Sequence, residues 1–534
     1  MEVDYLIVGA GSAGCVLANR LSADPGHRVL LVEAGGPDRD PRIHIPAGYS
    51  QLHRSAVDYA LYTEPQTQLN DRRIFVPRGK VLGGSSSTNA MAYVRGNAAD
   101  YDDWAAAGNA GWGYEAVLPY FKKHEANQDI SNTYHGRAGE LNVEFSHRHR
   151  IPFAEAFIAG CTATGLPLND DYNGAQQRGV GRFQFTIKDG KRHSAVGAFL
   201  RPALRRKNLT VWTRTKVEEV LLRNDVATGV RLRRRGKSAQ IIMAKRAVIL
   251  SAGAIHSPQI LLLSGIGNRG DLARLGIAPK VDLPGVGQNY QDHLFYGVSA
   301  TSRQQLGQNH DTAPLRLAYQ LGKYFLTKRG PMTIGPLEAV AFGSTPASPD
   351  RVDYQLHFTS SQIGHDYSVD MHDFSTFPTE DGFMILPTLL RPQSRGYLAL
   401  KDKNPASAPL LQPNFCQAER DRRLLVEAGK VAIEVMRSEA FAPYLEQLHY
   451  PPEPDSDDGI WRHIQRVVET VYHPVGTCKM GQDDSAVVDE RLRVRGVDRL
   501  YVMDASIMPT IVSGNTNAPT YMIAEKGAAM LLDK

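Results

Sequence analysis

Cysteine is scarce in this chain. Cys15, Cys161, Cys416 and Cys478 are scattered over 534 residues with no C-x-x-C pair, which excludes a disulfide scaffold and any zinc site readable from spacing, and suits a reducing compartment. Long apolar runs are missing as well. The nearest to a membrane span, Ala247 to Gly267, is broken by His256, Pro258, Gln259 and several glycines, so it reads as a strand, a turn and a buried helix. Nor is there an excess of one charge: 61 Lys and Arg against 56 Asp and Glu leave only +5, which is no footprint for a nucleic acid. The densest basic run, Arg231 to Lys237, reads as a solvated hairpin, and a P-loop fails there because Arg231 stands where glycine is required. Repeats and low-complexity linkers are absent. The first strand begins at Asp4, so no signal peptide is expected, and His147 and His149, with no third ligand nearby, read as surface histidines.

What is present starts at once. An apolar strand runs into Gly9-x-Gly11-x-x-Gly14, an amphipathic stretch follows to about Leu21, and a second apolar strand, Val29 to Val32, ends in Glu33 and Ala34. This is a dinucleotide fingerprint in its structural context: one glycine for the tight turn, one for backbone approach to a pyrophosphate, one for close helix packing, and an acid for a ribose. With Ala34 and no arginine after Glu33, a 2′-phosphate is disfavoured. The motif alone leaves FAD and NAD open.

A chain of this length calls for two or three domains. Alternating segments from Leu209 to Ser251 predict a β-meander followed by a strand that rejoins the first sheet. Residues 300 to 460 differ in character, with a long loop from Thr359 to Pro378, strands at Val352 to Phe358 and Gly396 to Lys401, and a helix from Ala418 to Met436. The expected class is α/β: a Rossmann-like cofactor domain carrying a β-meander, made of residues 1–150, 205–300 and 460–534. An α+β substrate domain, 151–204 and 301–459, is expected to be an antiparallel sheet with helices.

Four separated stretches carry a resemblance: the fingerprint, Gly79-Lys-Val-Leu-Gly-Gly-Ser-Ser-Ser-Thr-Asn89, Gly253 to Gly267, and the segments around His473 and Asn517. In order and over essentially the whole chain they resemble the glucose–methanol–choline (GMC) family of FAD-dependent oxidoreductases, in particular its bacterial choline dehydrogenase-like alcohol dehydrogenases. The resemblance implies FAD rather than NAD. It implies cofactor contacts at Gly9, Gly11, Ser12, Ala13, Gly14, Glu33 and Ala34, along Gly83, Gly84, Asn89, Ala90, Met91 and Ala92, and at Val217, Tyr472, Asp504, Ala505, Asn517 and Thr520. The slot that holds a flavin-linking histidine in some members holds Thr88, so non-covalent FAD is expected.

For chemistry the resemblance implies His473 as general base and Asn517 as its active-site neighbour, with hydride passing from a primary alcohol or polyol to the flavin and electrons going on to a quinone or other carrier. An oxidase using O2 and a non-redox lyase of the same fold are the alternatives. Only the imidazole of this pair titrates near neutrality. Full proton transfer from an alcohol of pKa ~15.7 to an imidazole of ~6.5 is uphill by roughly 12–13 kcal/mol, so a free alkoxide is an expensive intermediate. His193, His256 and His293 are expected to be structural. A cytoplasmic location is expected. Peripheral contact with the inner membrane is compatible with a quinone acceptor, although no clear amphipathic anchor stands out.

Overall fold

A computed structural model describes residues 1–364 and 369–533, so part of the expected Thr359 to Pro378 loop lies outside the described residues. Strands Glu2–Val8 and Val29–Val32 pair in parallel across helix Ser12–Leu21. Strand Leu209–Trp212 extends this sheet beyond Val29–Val32, and Ala239–Leu250 lies on the other side of Glu2–Val8, both in parallel. All four residues of Val29–Val32 are buried, as a strand with both faces covered requires.

The expected meander is present. Thr215–Arg223, Val226–Arg234 and Ala239–Leu250 run antiparallel in sequence order. The last strand changes character along its length. From Ala239 to Arg246 it is largely exposed, with Ile242 and Ala244 buried; from Ala247 to Leu250 every residue is buried. The change falls where the strand leaves the one-sided meander and lies between Glu2–Val8 and the late strand Leu500–Val502, with which it pairs in parallel. Arg231 and Arg233, in the basic run, pair with Glu218 on the neighbouring strand.

A second sheet is antiparallel. Its order is Leu445–Tyr450, Val298–Ser302, Gly382–Leu389, Tyr354–Thr359, Ala339–Gly343 and Gly179–Arg182. Val298–Ser302 thus belongs to this sheet across the boundary expected at residue 300. The three central strands are buried throughout, and period-2 geometry sorts their residues. Ala339, Ala341, Leu356, Phe358, Phe383 and Ile385 form one cluster with residues of helices Pro152–Ala163 and Glu419–Arg437. Val340, Phe342, Met384 and Leu386 belong to another, on the opposite face. That second face looks toward the first sheet.

Glycine identity matters most in the opening turn. Gly9 has φ +99°, and a Cβ on Gly14 would lie 1.9 Å from the Gly9 carbonyl oxygen, whereas one on Gly11 would meet nothing within 4 Å. In ligand-free protein, Gly14→Ala is expected to lose about 1–3 kcal/mol in urea unfolding, the ordinary cost of overpacking, and Gly11→Ala much less. Equal losses would place the tight contact elsewhere.

Candidate active site

A long cavity runs between the two sheets. Every site residue expected from the sequence lines it except Gly14 and Gly83, and those two shape its walls: Gly14 by the packing just described, Gly83 through an amide that donates to the Ala10 carbonyl at 2.7 Å. At one end, helix Ser12–Leu21 begins without a side-chain cap or an acid in its first turn, so its amide groups present positive partial charge to the cavity. Glu33 accepts from the amides of Ala10 at 2.9 Å and Gly35 at 2.7 Å. Burial nevertheless pushes its carboxyl up to about 7, and both oxygens keep a second lone pair. Asp504 differs. Its carboxylate already accepts four hydrogen bonds, from Gly253 N, Ser257 Oγ, Ser506 N and Ser506 Oγ, so the side chain ties helix Gly253–Leu263 to the Ala505–Ile507 turn.

These features fit an adenine dinucleotide. Open space over Gly11, an uncapped helix N-terminus, an acid with acceptor capacity and the backbone at Val217 all lie along the same end of the cavity.

The other end holds His473, placed by two strands. Leu294–Phe295 pairs antiparallel with Glu469–Thr470, and Gln291 pairs with Val475 in the same sense. The register slips by two residues between these pairings. In the slip Tyr472 takes φ +65°, a backbone region uncommon for a bulky residue. The Tyr472 carbonyl accepts from the Arg78 guanidinium, and the His473 amide donates to Asp292 Oδ1 at 2.8 Å in place of a ladder bond. Asp292 also accepts from the Thr470 hydroxyl at 2.7 Å, and burial pushes its carboxyl up to about 7. The bulge aims the imidazole into the cavity.

Both ring nitrogens of His473 have partners. Nδ1 lies 3.0 Å from Nδ1 of His293, whose Nε2 lies 3.0 Å from the Leu390 carbonyl. The His293 ring meets the carbonyls of Leu390 and Val512, and burial drives it down to about 3 and keeps it neutral; with its hydrogen on Nε2, toward Leu390, its Nδ1 keeps a lone pair. His473 Nδ1 must then be the donor. Its Nε2 is therefore the bare nitrogen, and it faces the Asn515 amide nitrogen at 3.3 Å. Burial, with the Arg78 guanidinium and the neighbouring His293 and His357 rings adding to it, holds His473 well below its ordinary range. Asn515 Oδ1 is buried without a partner.

Asn517, expected beside His473, is occupied elsewhere: its Oδ1 accepts from the Ser12 hydroxyl at 2.6 Å. The reason is local. Asn517 is the first residue of helix Asn517–Leu532, on the turn facing helix Ser12–Leu21, while Asn515 lies just before the helix and reaches His473. His293, expected to be structural, is the second partner sequence reasoning missed. A polar Gln291-Asp292-His293 triplet entering an apolar strand was the available signal.

The wall beyond His473 is largely apolar, with His357, Thr359 and Ser361 as its polar members. Phe295, Leu337, Phe377, Met384 and Leu386 line it and belong to one cluster with Met91 and Val471. Among the described lining residues the only carboxylates are Glu33 and Asp504, both at the dinucleotide end.

Two family models described as GMC oxidoreductase match residues 3–295 and 392–524. The chain is 41% identical to an alcohol dehydrogenase [acceptor] of Pseudomonas putida, over 99% of this chain and 96% of that protein. It is also 41% identical to mitochondrial choline dehydrogenase of Homo sapiens, over 99% and 90%. Among solved structures, pyridoxine 4-oxidase from Mesorbium loti superposes with a TM-score of 0.90 at 30% identity, covering 100% of this chain and 99% of that one. With the fingerprint, the two-sheet architecture and these full-length matches agreeing, the chain belongs to the GMC oxidoreductase family, FAD-dependent enzymes acting on CH–OH donors, as its motifs imply.

Proposed function

We propose that the protein oxidises an uncharged primary alcohol to the aldehyde with His473 as general base, Asn515 as hydrogen-bond donor to the substrate oxygen, and His293 as a positioning residue that fixes the tautomer of His473. The observation that carries this reading is the bare Nε2 of His473 facing a carboxamide in a cavity that continues to the dinucleotide end. Bound FAD supplies the hydride acceptor. Residues Gly11 to Ala13 would present amide groups to its pyrophosphate, Glu33 would accept from its ribose, the Val217 backbone would meet the adenine, and Ala90 to Ala92 would border the flavin. Thr88 lacks the imidazole that a covalent flavin link would use.

An alcohol oxygen between His473 and Asn515 would replace their direct contact. The hydroxyl hydrogen then points at Nε2, and the amide donor steadies the oxygen as negative charge grows. Burial makes complete proton transfer to this imidazole harder still than the roughly 12–13 kcal/mol for an ordinary histidine. A discrete alkoxide is disfavoured, and the O–H proton moves as the C–H bond breaks.

The largely apolar wall, and the absence of any carboxylate lining the cavity beside His473 among the described residues, favour an aliphatic or aromatic alcohol; a quaternary ammonium one would have aromatic faces such as Phe295 and Phe377, and no carboxylate, to meet its charge. Electrons then pass to a quinone or similar carrier.

His473→Ala should slow anaerobic flavin reduction roughly 10²–10⁴-fold with the flavin retained, and Asn515→Ala should slow it more than Asn517→Ala. Undiminished reduction in the first, or the reverse order in the second pair, overturns the assignments. A histidine held low is already neutral at neutral pH, so reduction should be flat there and fall only as pH drops below the ordinary value of 6.5. An acid limb above that value would mean that a different group titrates. In a panel, aliphatic and aromatic alcohols should bleach the flavin faster than choline, with slow recovery in air and fast recovery with a quinone. Fastest bleaching by choline sinks the uncharged-substrate reading.

A further inference from the structure

Helix Pro314–Thr327 lies outside both sheets and has only one buried residue, Tyr324. Leu315 is 89% exposed, Tyr319 67%, Phe325 59% and Leu326 87%. Helical geometry gathers these four side chains, with Ala318 and Gly322, into one outward stripe, while Tyr324 points the other way and bonds the Gly190 carbonyl at 3.1 Å. Water gains nothing from such a stripe. Isolated exposed leucines are ordinary, but four large apolar groups on a single helix face mark a contact surface.

The charge around the stripe is of one sign. Arg316 and Lys323 flank it, Lys328 and Arg329 follow its end, and no acid occurs from Ala313 to Gly330. Lys191 approaches closely enough to add its repulsion to the burial that lowers Lys328. Two acids nearby have partners, Asp311 with Gln320 at 3.0 Å and His310 at 3.7 Å, and Asp189 with Arg148 at 3.8 Å. A second copy of the chain, seated two-fold on this face, would bring like charges together without partners. An anionic phospholipid surface complements both features, with acyl chains for the stripe and headgroup phosphates for the cationic rim.

We propose that helix Pro314–Thr327 docks the protein peripherally on an anionic lipid bilayer, with Leu315, Tyr319, Phe325 and Leu326 entering the interface. This supplies the amphipathic anchor that does not stand out in the sequence. The chain leaving the helix packs its Pro331–Thr333 turn on the Pro46–Leu52 turn, and Pro336 and Leu337 then line the cavity. Docking therefore sets the lipid phase close along the chain to the apolar wall of the site. Nothing in the proposal depends on which alcohol is oxidised.

The test is flotation of the purified holoenzyme with vesicles of phosphatidylcholine alone and of phosphatidylcholine with phosphatidylglycerol. Binding to the anionic vesicles should be at least about tenfold stronger, consistent with several basic residues near the surface, and should weaken with salt. Leu315→Gln/Phe325→Ser/Leu326→Gln should lose binding to both vesicle types, while Arg316→Glu/Lys323→Glu should lose the anionic preference. Both variants should keep turnover of a water-soluble alcohol and full flavin content. No vesicle binding by the wild type, equal binding by the triple variant, or a dimer in light scattering that the triple variant abolishes in place of vesicle binding would each overturn the proposal.

Discussion

The antiparallel contact between residues 291–295 and 469–475 is the constraint on which the site rests. These two stretches are far apart in the chain, and each leads into a different part of the molecule: Leu294–Phe295 toward the second sheet, the later segment toward the strand Leu500–Val502 and the C-terminal helix. Their pairing sets the distance between the two histidines. Had the ladder continued without its slip, the two extra residues could not be absorbed and the His473 side chain would not lie where the Asp292 carboxylate and the strained Tyr472 peptide hold it. Strain at Tyr472 is compensated by the bonds its neighbours make, since Arg78, Thr470 and Asp292 all contact this short segment.

The electrostatics are those of a dry site. Burial is the largest contributor to the shifts at His293, His473, Asp292 and Glu33, and in every case it favours the uncharged form. For the histidines this means two neutral imidazoles with their hydrogens set in one order by a backbone carbonyl. A carboxylate in place of His293 would have held His473 as a cation. The neutral partner keeps a base available without paying for a buried ion.

Much of the architecture was legible because backbone requirements write themselves into sequence. Gly9 and Gly14 are demanded by a turn and by a contact with no room for a Cβ, and the strand Ala239–Leu250 shows its two environments in its change of pattern. Side-chain aim was less legible. Asn515 and Asn517 are identical groups two residues apart, and only the point at which the C-terminal helix begins decides which one meets His473 and which meets Ser12. His293 gave no spacing signal because its relation to His473 is made entirely by tertiary pairing. The outward stripe of Pro314–Thr327 is visible only once Tyr324 is known to face inward, because its leucines otherwise read as an ordinary core helix.

The alternation in the second sheet has a consequence for how this protein can change. Met384 and Leu386 face the cavity, whereas Phe383 and Ile385, interleaved with them, anchor the helices behind. Adjacent positions on one strand therefore answer to separate selective pressures. Substitutions at the even-numbered sites can reshape ligand preference while the odd-numbered sites preserve foldability, giving an evolving lineage a route to new substrates that leaves the scaffold intact.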